Sequence, residues 1–204
     1  MDRVCRRNKL WLMGQSSVNF TNQFLIAMPG MVGDTFAGTV IYLCEHTDKG
    51  ALGLVINKPI DITLKSLFDK VELPLERADL VESPVFFGGP VQTERGFVLH
   101  EQSSDADGGF NSSLKIPGGL EMTTSKDVLE ALSSGTGPSR VFVSLGYSGW
   151  GAGQLEDEMS RNNWINVEAQ PEIIFSTPIG QRYDKALSLL GIDPVMLSAD
   201  AGHA

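Results

Sequence analysis

The stretch of residues 145–158, called the glycine segment below, constrains the possible folds of this chain more than any other part of it. Four glycines, at positions 146, 149, 151 and 153, lie between the apolar run 141–145 and an acidic amphipathic stretch, 154–162. Because glycine reaches backbone conformations closed to other residues, this pattern predicts a strand, a glycine loop and a helix in succession. Loops of this kind often hold ligands, so the glycine segment is the first candidate for a functional site.

Phosphate binding is the first hypothesis for the glycine segment, and the residues argue against it. A phosphate site of this type needs backbone N–H groups at a helix N-terminus. The third glycine of the dinucleotide-binding pattern G-x-G-x-x-G is missing, and the chain contains no G-x-x-x-x-G-K-[ST] pattern. The predicted helix also opens with Glu156, Asp157 and Glu158, whose carboxylates would repel a phosphate. We therefore interpret the glycines as permitting a sharp turn with Trp150 packed beside it.

A hydrolase nucleophile is the second hypothesis. Ser148 follows a predicted strand, as the serine of G-x-S-x-G does. An acid (Asp184 or Asp193) and then His203 come later, in the chain order of a hydrolase triad. Trp150 stands where the pattern needs its second glycine, however. The sequence therefore predicts no catalytic serine.

Two histidine–glutamate pairs end predicted strands, Glu45-His46 and His100-Glu101. If these strands align, the pairs could line a polar cleft suited to acid–base chemistry. Cys44 lies two residues from His46 and would face the same side of its strand, which opens the hypothesis of a metal site completed by His100. The chain has no C-x-x-C or H-x-x-x-H pair to support this metal site. The alternative hypothesis is an enzyme or metal-binding protein that uses this cleft. The leading hypothesis includes no cofactor.

Charge and composition exclude several classes of partner. The net charge is −9, and residues 1–9 hold four of the sixteen basic residues but only one acid. The remainder therefore carries 12 basic residues against 24 acidic ones, which repels nucleic-acid backbones. No apolar run approaches the ~20 residues that a membrane span needs. The two cysteines, Cys5 and Cys44, are poorly placed for a disulfide, so we expect a cytoplasmic protein.

The remaining patterns predict one domain over residues 21–204, preceded by a disordered tail over residues 1–20. Either Met1 or Met13 could be the start of translation. Hairpins are predicted over 39–57 and 113–123, and further strands over 24–28, 84–87, 96–100, 164–167 and 173–175. Helices are predicted over 63–71, 125–135 and 182–190, and a last short one from Asp193. Hairpins mixed with helices predict an α+β fold with a mostly antiparallel sheet.

Several blocks of the chain together resemble the AlgH/YqgE family of bacterial proteins. They are residues 24–31, 40–46, 50–59, 88–91, 95–100, 135–138, 145–158 and 201–204. The resemblance covers roughly residues 23–204. It implies one compact domain with a partly barrel-like sheet surrounded by helices. It also implies a regulatory role, because the family's name comes from a proposed function in regulating alginate synthesis.

The leading prediction combines this resemblance with the lack of a complete catalytic signature. We expect a non-enzymatic regulatory or interaction protein that affects gene expression through a protein partner or a small neutral ligand. The sequence predicts no catalytic residue. The residues that it singles out as candidate contacts at a surface or cleft are His46, His100, Trp150 and Gln154.

Overall fold

The structure, a computed structural model, describes residues 18–31, 33, 35–102 and 109–192. These residues form ten strands and five helices. The strands are β1 Gln23–Ala27, β2 Val40–Thr47, β3 Gly50–Val55, β4 Pro59–Thr63, β5 Pro84–Phe87, β6 Val91–Glu101, β7 Ser113–Ile116, β8 Leu120–Thr123, β9 Val141–Gly151 and β10 Trp164–Glu168. The helices are α1 Leu64–Lys70, α2 Lys126–Ser133, α3 Gln154–Ser160, α4 Pro171–Phe175 and α5 Arg182–Ser188.

The strands form one half-barrel sheet in the order β10-β1-β2-β3-β9-β6-β8-β7. All neighbours on this path are antiparallel, while β5 adds to β9 in parallel and pairs with β4 on its other side. The long strand β9 joins the two halves of the sheet, because its first part pairs with β6 and its last part with β3. The predicted α+β class and the barrel-like, mostly antiparallel sheet are confirmed.

Three apolar clusters hold the layers together. Successive residues of a strand point to opposite faces, so Phe142 and Val143 of β9 belong to different clusters. The cluster that contains Phe142 draws on both halves of the sheet and on α4 and α5. On the opposite face, α1 and α2 cover the half around β6, and α3 covers the half around β2 and β3. Among the described helices, none is long and apolar enough to cross a membrane.

The glycine segment departs most from its predicted structure. Residues 146–151 continue β9, and residues 148–151 pair with β3, so only residues 152 and 153 form a turn before α3. The predicted strand at 173–175 is also wrong, because Pro171 starts the one-turn helix α4 there. Ile173 and Ile174 are adjacent and both buried, an arrangement that a helix against the sheet allows. The predicted hairpins and the helices α1, α2 and α5 are confirmed, whereas residues 1–17 and the helix from Asp193 lie outside the described residues.

One buried hydroxyl in the sheet, that of Ser144, is expected to lower the stability of the fold. Ser144 in β9 is fully buried, and its Oγ has no hydrogen-bond partner within the described part of the chain. An unsatisfied buried hydroxyl costs ~1–3 kcal/mol, so Ser144→Ala is expected to raise the free energy of unfolding by about 1 kcal/mol. Urea denaturation measures this change. Ser148→Ala is the matched control, because the Ser148 hydroxyl is equally buried but bonded, and an equal loss in both variants would contradict the prediction.

Candidate functional site

The backbone of the glycine segment lies so close to Gly50 and Gly88 that neither position has room for a side chain. A Cβ atom added at Gly88 would lie 2.1 Å from the carbonyl oxygen of Gly146, and one at Gly50 would lie 2.1 Å from the carbonyl oxygen of Trp150. Gly146 itself has φ +72°, in the left-handed region that glycine adopts without strain. These contacts explain Gly50, Gly88 and Gly146 as requirements of backbone packing.

Ser148, the candidate nucleophile, takes part in the same contact. Its hydroxyl is 1% exposed and donates a hydrogen bond of 3.2 Å to the carbonyl oxygen of Gly88. His203, the proposed triad base, lies outside the described residues. Within the described residues, the Ser148 hydroxyl therefore holds the turn at Gly88 against β9.

The carboxylate of Glu158 in α3 binds two tryptophans at the end of the glycine segment. The indole N–H groups of Trp150 and Trp164 donate to the same carboxylate oxygen, at 2.9 and 2.8 Å. The Gln154 amide donates to the other oxygen at 2.9 Å, while its own oxygen accepts the Gly151 N–H at 3.0 Å. Both indoles are buried and meet edge to face, with ring centroids 6.1 Å apart. We call these four side chains (Trp150, Gln154, Glu158 and Trp164) the Glu158 cluster.

The Glu158 cluster fixes α3 on the sheet, and sequence reasoning found only half of it. Trp150 and Gln154 were predicted as contact residues, but Glu158 was considered only as a charge at the helix start. The spacing of Gln154 and Glu158, i and i+4 on one helix face, is a signal that could have linked them. Trp164 lies on β10, which reaches this position because it pairs with β1. The local sequence does not show that pairing.

His46 is a buried structural histidine on the same face of the sheet as Trp150. Ala51 lies opposite His46 on one side and opposite Trp150 on the other, which puts all three in one row. The His46 Nδ1 atom accepts the Phe20 N–H at 3.1 Å, so Nε2 carries the proton and donates to Glu156 at 3.0 Å. His46 is 5% exposed, and its hydrogen bond to Glu156 ties β2 to α3.

The predicted common face of Cys44 and His46 is wrong. A β-bulge between Leu43 and Glu45 inserts one residue, so the alternation of faces is broken. Cys44 points into the cluster that contains Phe142, whereas His46 lies on the α3 side. Burial raises the pKa of the Cys44 thiol, which disfavours the reactive thiolate.

His100 and Glu101 lie at the other end of β9. His100 is opposite Val141, is fully buried, and its Nε2 lies 2.9 Å from the Thr123 hydroxyl. Glu101 accepts a 3.0 Å hydrogen bond from the Arg140 guanidinium, and that bond holds the pKa of the carboxyl below its usual range. The structure thus does not bring the two histidine–glutamate pairs into one cleft. No group of three or more His, Cys, Asp or Glu side chains in the described residues could hold a metal ion.

The separation of the two histidines predicts additive effects on stability. His46→Ala leaves the buried Phe20 N–H without its acceptor, and His100→Ala removes one of the two hydrogen-bond partners of the buried Thr123 hydroxyl. Each change is expected to lower the free energy of unfolding by about 1–3 kcal/mol. The free-energy changes of distant substitutions are additive. The loss measured for the double variant by urea denaturation should therefore equal the sum of the two single losses within about 0.5 kcal/mol. A coupling energy of about 1 kcal/mol or more would place both histidines in one site.

An open pocket of about 380 Å³ lies where the β2–β3 hairpin meets the last part of β9. We call it the hairpin pocket. Its wall combines opposite charges, two hydroxyls, an aliphatic side chain and bare backbone, supplied by Glu45, Lys49, Thr47, Tyr147, Leu52 and Gly149. Glu45 reaches this pocket because the β-bulge shifts the register and places it opposite Leu52, which also lines the pocket. The exposed residues 151–153, which are the end of β9 and the turn after it, follow directly, so the glycine segment forms one side of this surface.

Comparison with known proteins shows a single consistent family. A family model described as AlgH-like matches residues 24–195. The UPF0301 protein of Polaromonas sp. is 66% identical over 188 residues, covering 92% of this chain and 96% of that protein. The UPF0301 protein of Ralstonia pickettii is 65% identical over 187 residues, again covering 92% of this chain and 96% of that protein.

Solved structures agree with this result. The solution structure of the AlgH protein from Pseudomonas aeruginosa is similar with a TM-score of 0.74 and 44% identity, covering 94% of this chain and 99% of that one. A crystal structure from Corynebacterium diphtheriae has a TM-score of 0.65 at 20% identity, covering 82% of this chain and 85% of that one. At that identity the second likeness concerns the fold alone.

Proposed function

The chain belongs to the AlgH-like family, and from this premise we propose that it is a non-enzymatic interaction protein whose hairpin pocket binds a segment of a partner protein. The observation that carries the proposal is a contrast within the described residues. Ser148, His46 and His100 are buried and occupied by hydrogen bonds that hold the fold. The hairpin pocket, in contrast, is open and offers charged, polar and apolar groups side by side.

The chemistry of the hairpin pocket favours a peptide segment with a basic side chain. Glu45 is exposed at the pocket and can pair with a cation, while Leu52 offers an apolar contact. Gly149 is exposed and has no side chain to keep a partner backbone away. The three acidic residues 156–158 of the nearby α3 outnumber their basic partner Arg161, so this helix adds negative charge. This acidic character attracts basic protein segments.

A protein of this charge affects gene expression through contacts with other proteins rather than with DNA. The net charge of −9 opposes binding to the DNA backbone, since that binding depends on neutralising phosphates with basic side chains. A protein partner that itself contacts nucleic acid or the transcription machinery avoids this repulsion. We therefore propose regulation by binding such a partner.

Site-specific photo-crosslinking in cells tests the proposed surface. A benzophenone amino acid replaces Ala152, which is exposed in the turn beside the hairpin pocket, and in a control replaces Lys126, exposed on α2 in the other half. We expect a discrete protein adduct from position 152 alone, and we expect Glu45→Lys to weaken it at least about fivefold. Identical adducts at both positions, or an adduct insensitive to Glu45→Lys, would contradict the proposal.

The proposal that the protein is not an enzyme has a separate test. Steady-state turnover of a substrate by the pure protein, abolished by one point change, would contradict it.

A further inference from the structure

A second pocket, of about 300 Å³, opens between the starts of β5 and β9 and the segment that runs from α4 to α5. Its volume is at the lower end of the ~300–1000 Å³ range of small-ligand sites. Three aromatic rings and aliphatic side chains form its walls, and hydroxyls stand among them. Residues of particular relevance are Phe86, Phe142, Phe175, Ile179, Ser176 and Arg182. We call it the arginine pocket.

Arg182 is the charged group of this pocket and is 6% exposed. Its guanidinium lies over the rings of Phe86 and Phe142, at 5.0 and 5.9 Å from their centroids. Nη1 donates to the carbonyl oxygen of Ile56, and Nε donates to that of Thr177 at 3.1 Å. Nη2 has no hydrogen-bond partner in the described part of the chain, nor does any described carboxylate form an ion pair with this guanidinium.

A buried cation without a counter-ion is costly, and the neighbouring rings and carbonyls offset only part of that cost. Burial accordingly lowers the pKa of Arg182 to about 10. The other guanidinium near this pocket, Arg140, lies 5.3 Å from the Phe175 ring centroid and is already paired with Glu101. Of the two guanidinium groups at this pocket, Arg182 is therefore the one without an acidic partner among the described residues.

We propose that the arginine pocket binds a small organic anion, with one carboxylate on Arg182 and an apolar body against the aromatic and aliphatic walls. A planar guanidinium matches a carboxylate in geometry and binds it more strongly than a neutral group. One cation suits one negative charge, and the short helices α4 and α5 supply no further anion site. The arginine pocket uses α5 and β5 rather than the β2–β3 hairpin, so the inference is independent of the proposed partner surface.

Titration of the full chain with phenylacetate, observed on the methyl resonances of Ile174 and Ile179, tests this inference. Both residues line the arginine pocket. We expect saturable shifts with a Kd of about 1 mM or tighter. Phenylacetamide has the same shape without the charge, and we expect it to bind at least about tenfold more weakly. Absence of saturable shifts, or equal binding of the amide, would overturn the inference.

Two variants separate binding from folding. Arg182→Met is expected to abolish the phenylacetate shifts, but it also removes two hydrogen bonds to backbone carbonyls, so a second variant is needed. Ser176→Glu places a competing carboxylate at an exposed position of the pocket and should weaken phenylacetate at least about fivefold. Ser188→Glu adds the same charge on the exposed side of α5, outside the pocket, and should change the Kd by less than about twofold. Equal Kd values in the Ser176→Glu and Ser188→Glu variants would overturn the inference.

Discussion

Replacing Gly89 with alanine is expected to lower the free energy of unfolding by about 4 kcal/mol or more, a large part of the stability of an ordinary domain. A Cβ atom at this position would lie 2.2 Å from the carbonyl carbon of Tyr147 and 2.3 Å from the nitrogen of Ser148. Both are backbone atoms of β9, which joins the two halves of the sheet and cannot shift without breaking pairs on either side. The φ of +154° adds strain for any residue with a side chain.

Gly96→Ala is the matched control for this prediction. Gly96 also lies in the sheet, in β6, but a Cβ atom there would meet no heavy atom within 4 Å. The alanine variant should be unchanged or up to about 1 kcal/mol more stable, because it reduces the freedom of the unfolded chain. Urea denaturation followed by circular dichroism compares the two variants with the parent chain. Similar free energies for both variants would show that the contact of Gly89 with β9 does not constrain the fold.

Replacing Glu158 with leucine is expected to lower the free energy of unfolding by about 2–4 kcal/mol. The change leaves two buried indole N–H groups, of Trp150 and Trp164, without their shared acceptor. Each unsatisfied buried donor costs ~1–3 kcal/mol. Glu158→Gln keeps one oxygen as an acceptor and should cost about 1 kcal/mol. Urea denaturation followed by tryptophan fluorescence measures both changes.

Asp157→Asn is the control for Glu158. Asp157 is the preceding residue of α3, is exposed, and pairs with Arg161 one turn later. A surface pair of this kind contributes about 0.3–0.5 kcal/mol, so the variant should remain close to the parent chain. If Glu158→Leu is no less stable than Asp157→Asn, the indole hydrogen bonds do not hold α3 on the sheet.

The sequence allowed most elements to be predicted where local patterns decide the structure. The hairpin of β2 and β3 was predicted from β-branched and aromatic residues on either side of a turn, and α1 from its apolar spacing. The glycine segment was misjudged because glycine is a poor strand former in isolation. Its extended conformation depends on β3 and on Gly88 and Gly89, partners far away in the chain.

The candidate site was less predictable, because small local irregularities decide which side chains meet. The bulge in β2 sends Cys44, Glu45 and His46 in directions that plain alternation does not give. As a result Glu45 faces the hairpin pocket, while His46 binds Glu156 of α3. Arg182 was predicted only as part of a helix, since nothing in the local sequence shows that its guanidinium is covered by Phe86 and Phe142.

The regulatory role that we propose for the hairpin pocket is tested most directly by the transcript profile of cells in which Glu45→Lys is the sole copy of the chain. Glu45 is exposed, so the variant should accumulate to the parental level while its pocket repels a basic segment. We expect the profile to match that of cells lacking the protein, and cells with the exposed α2 control Glu130→Lys to match the parent. A parental profile in the Glu45→Lys cells, at equal protein level, would contradict the proposed role.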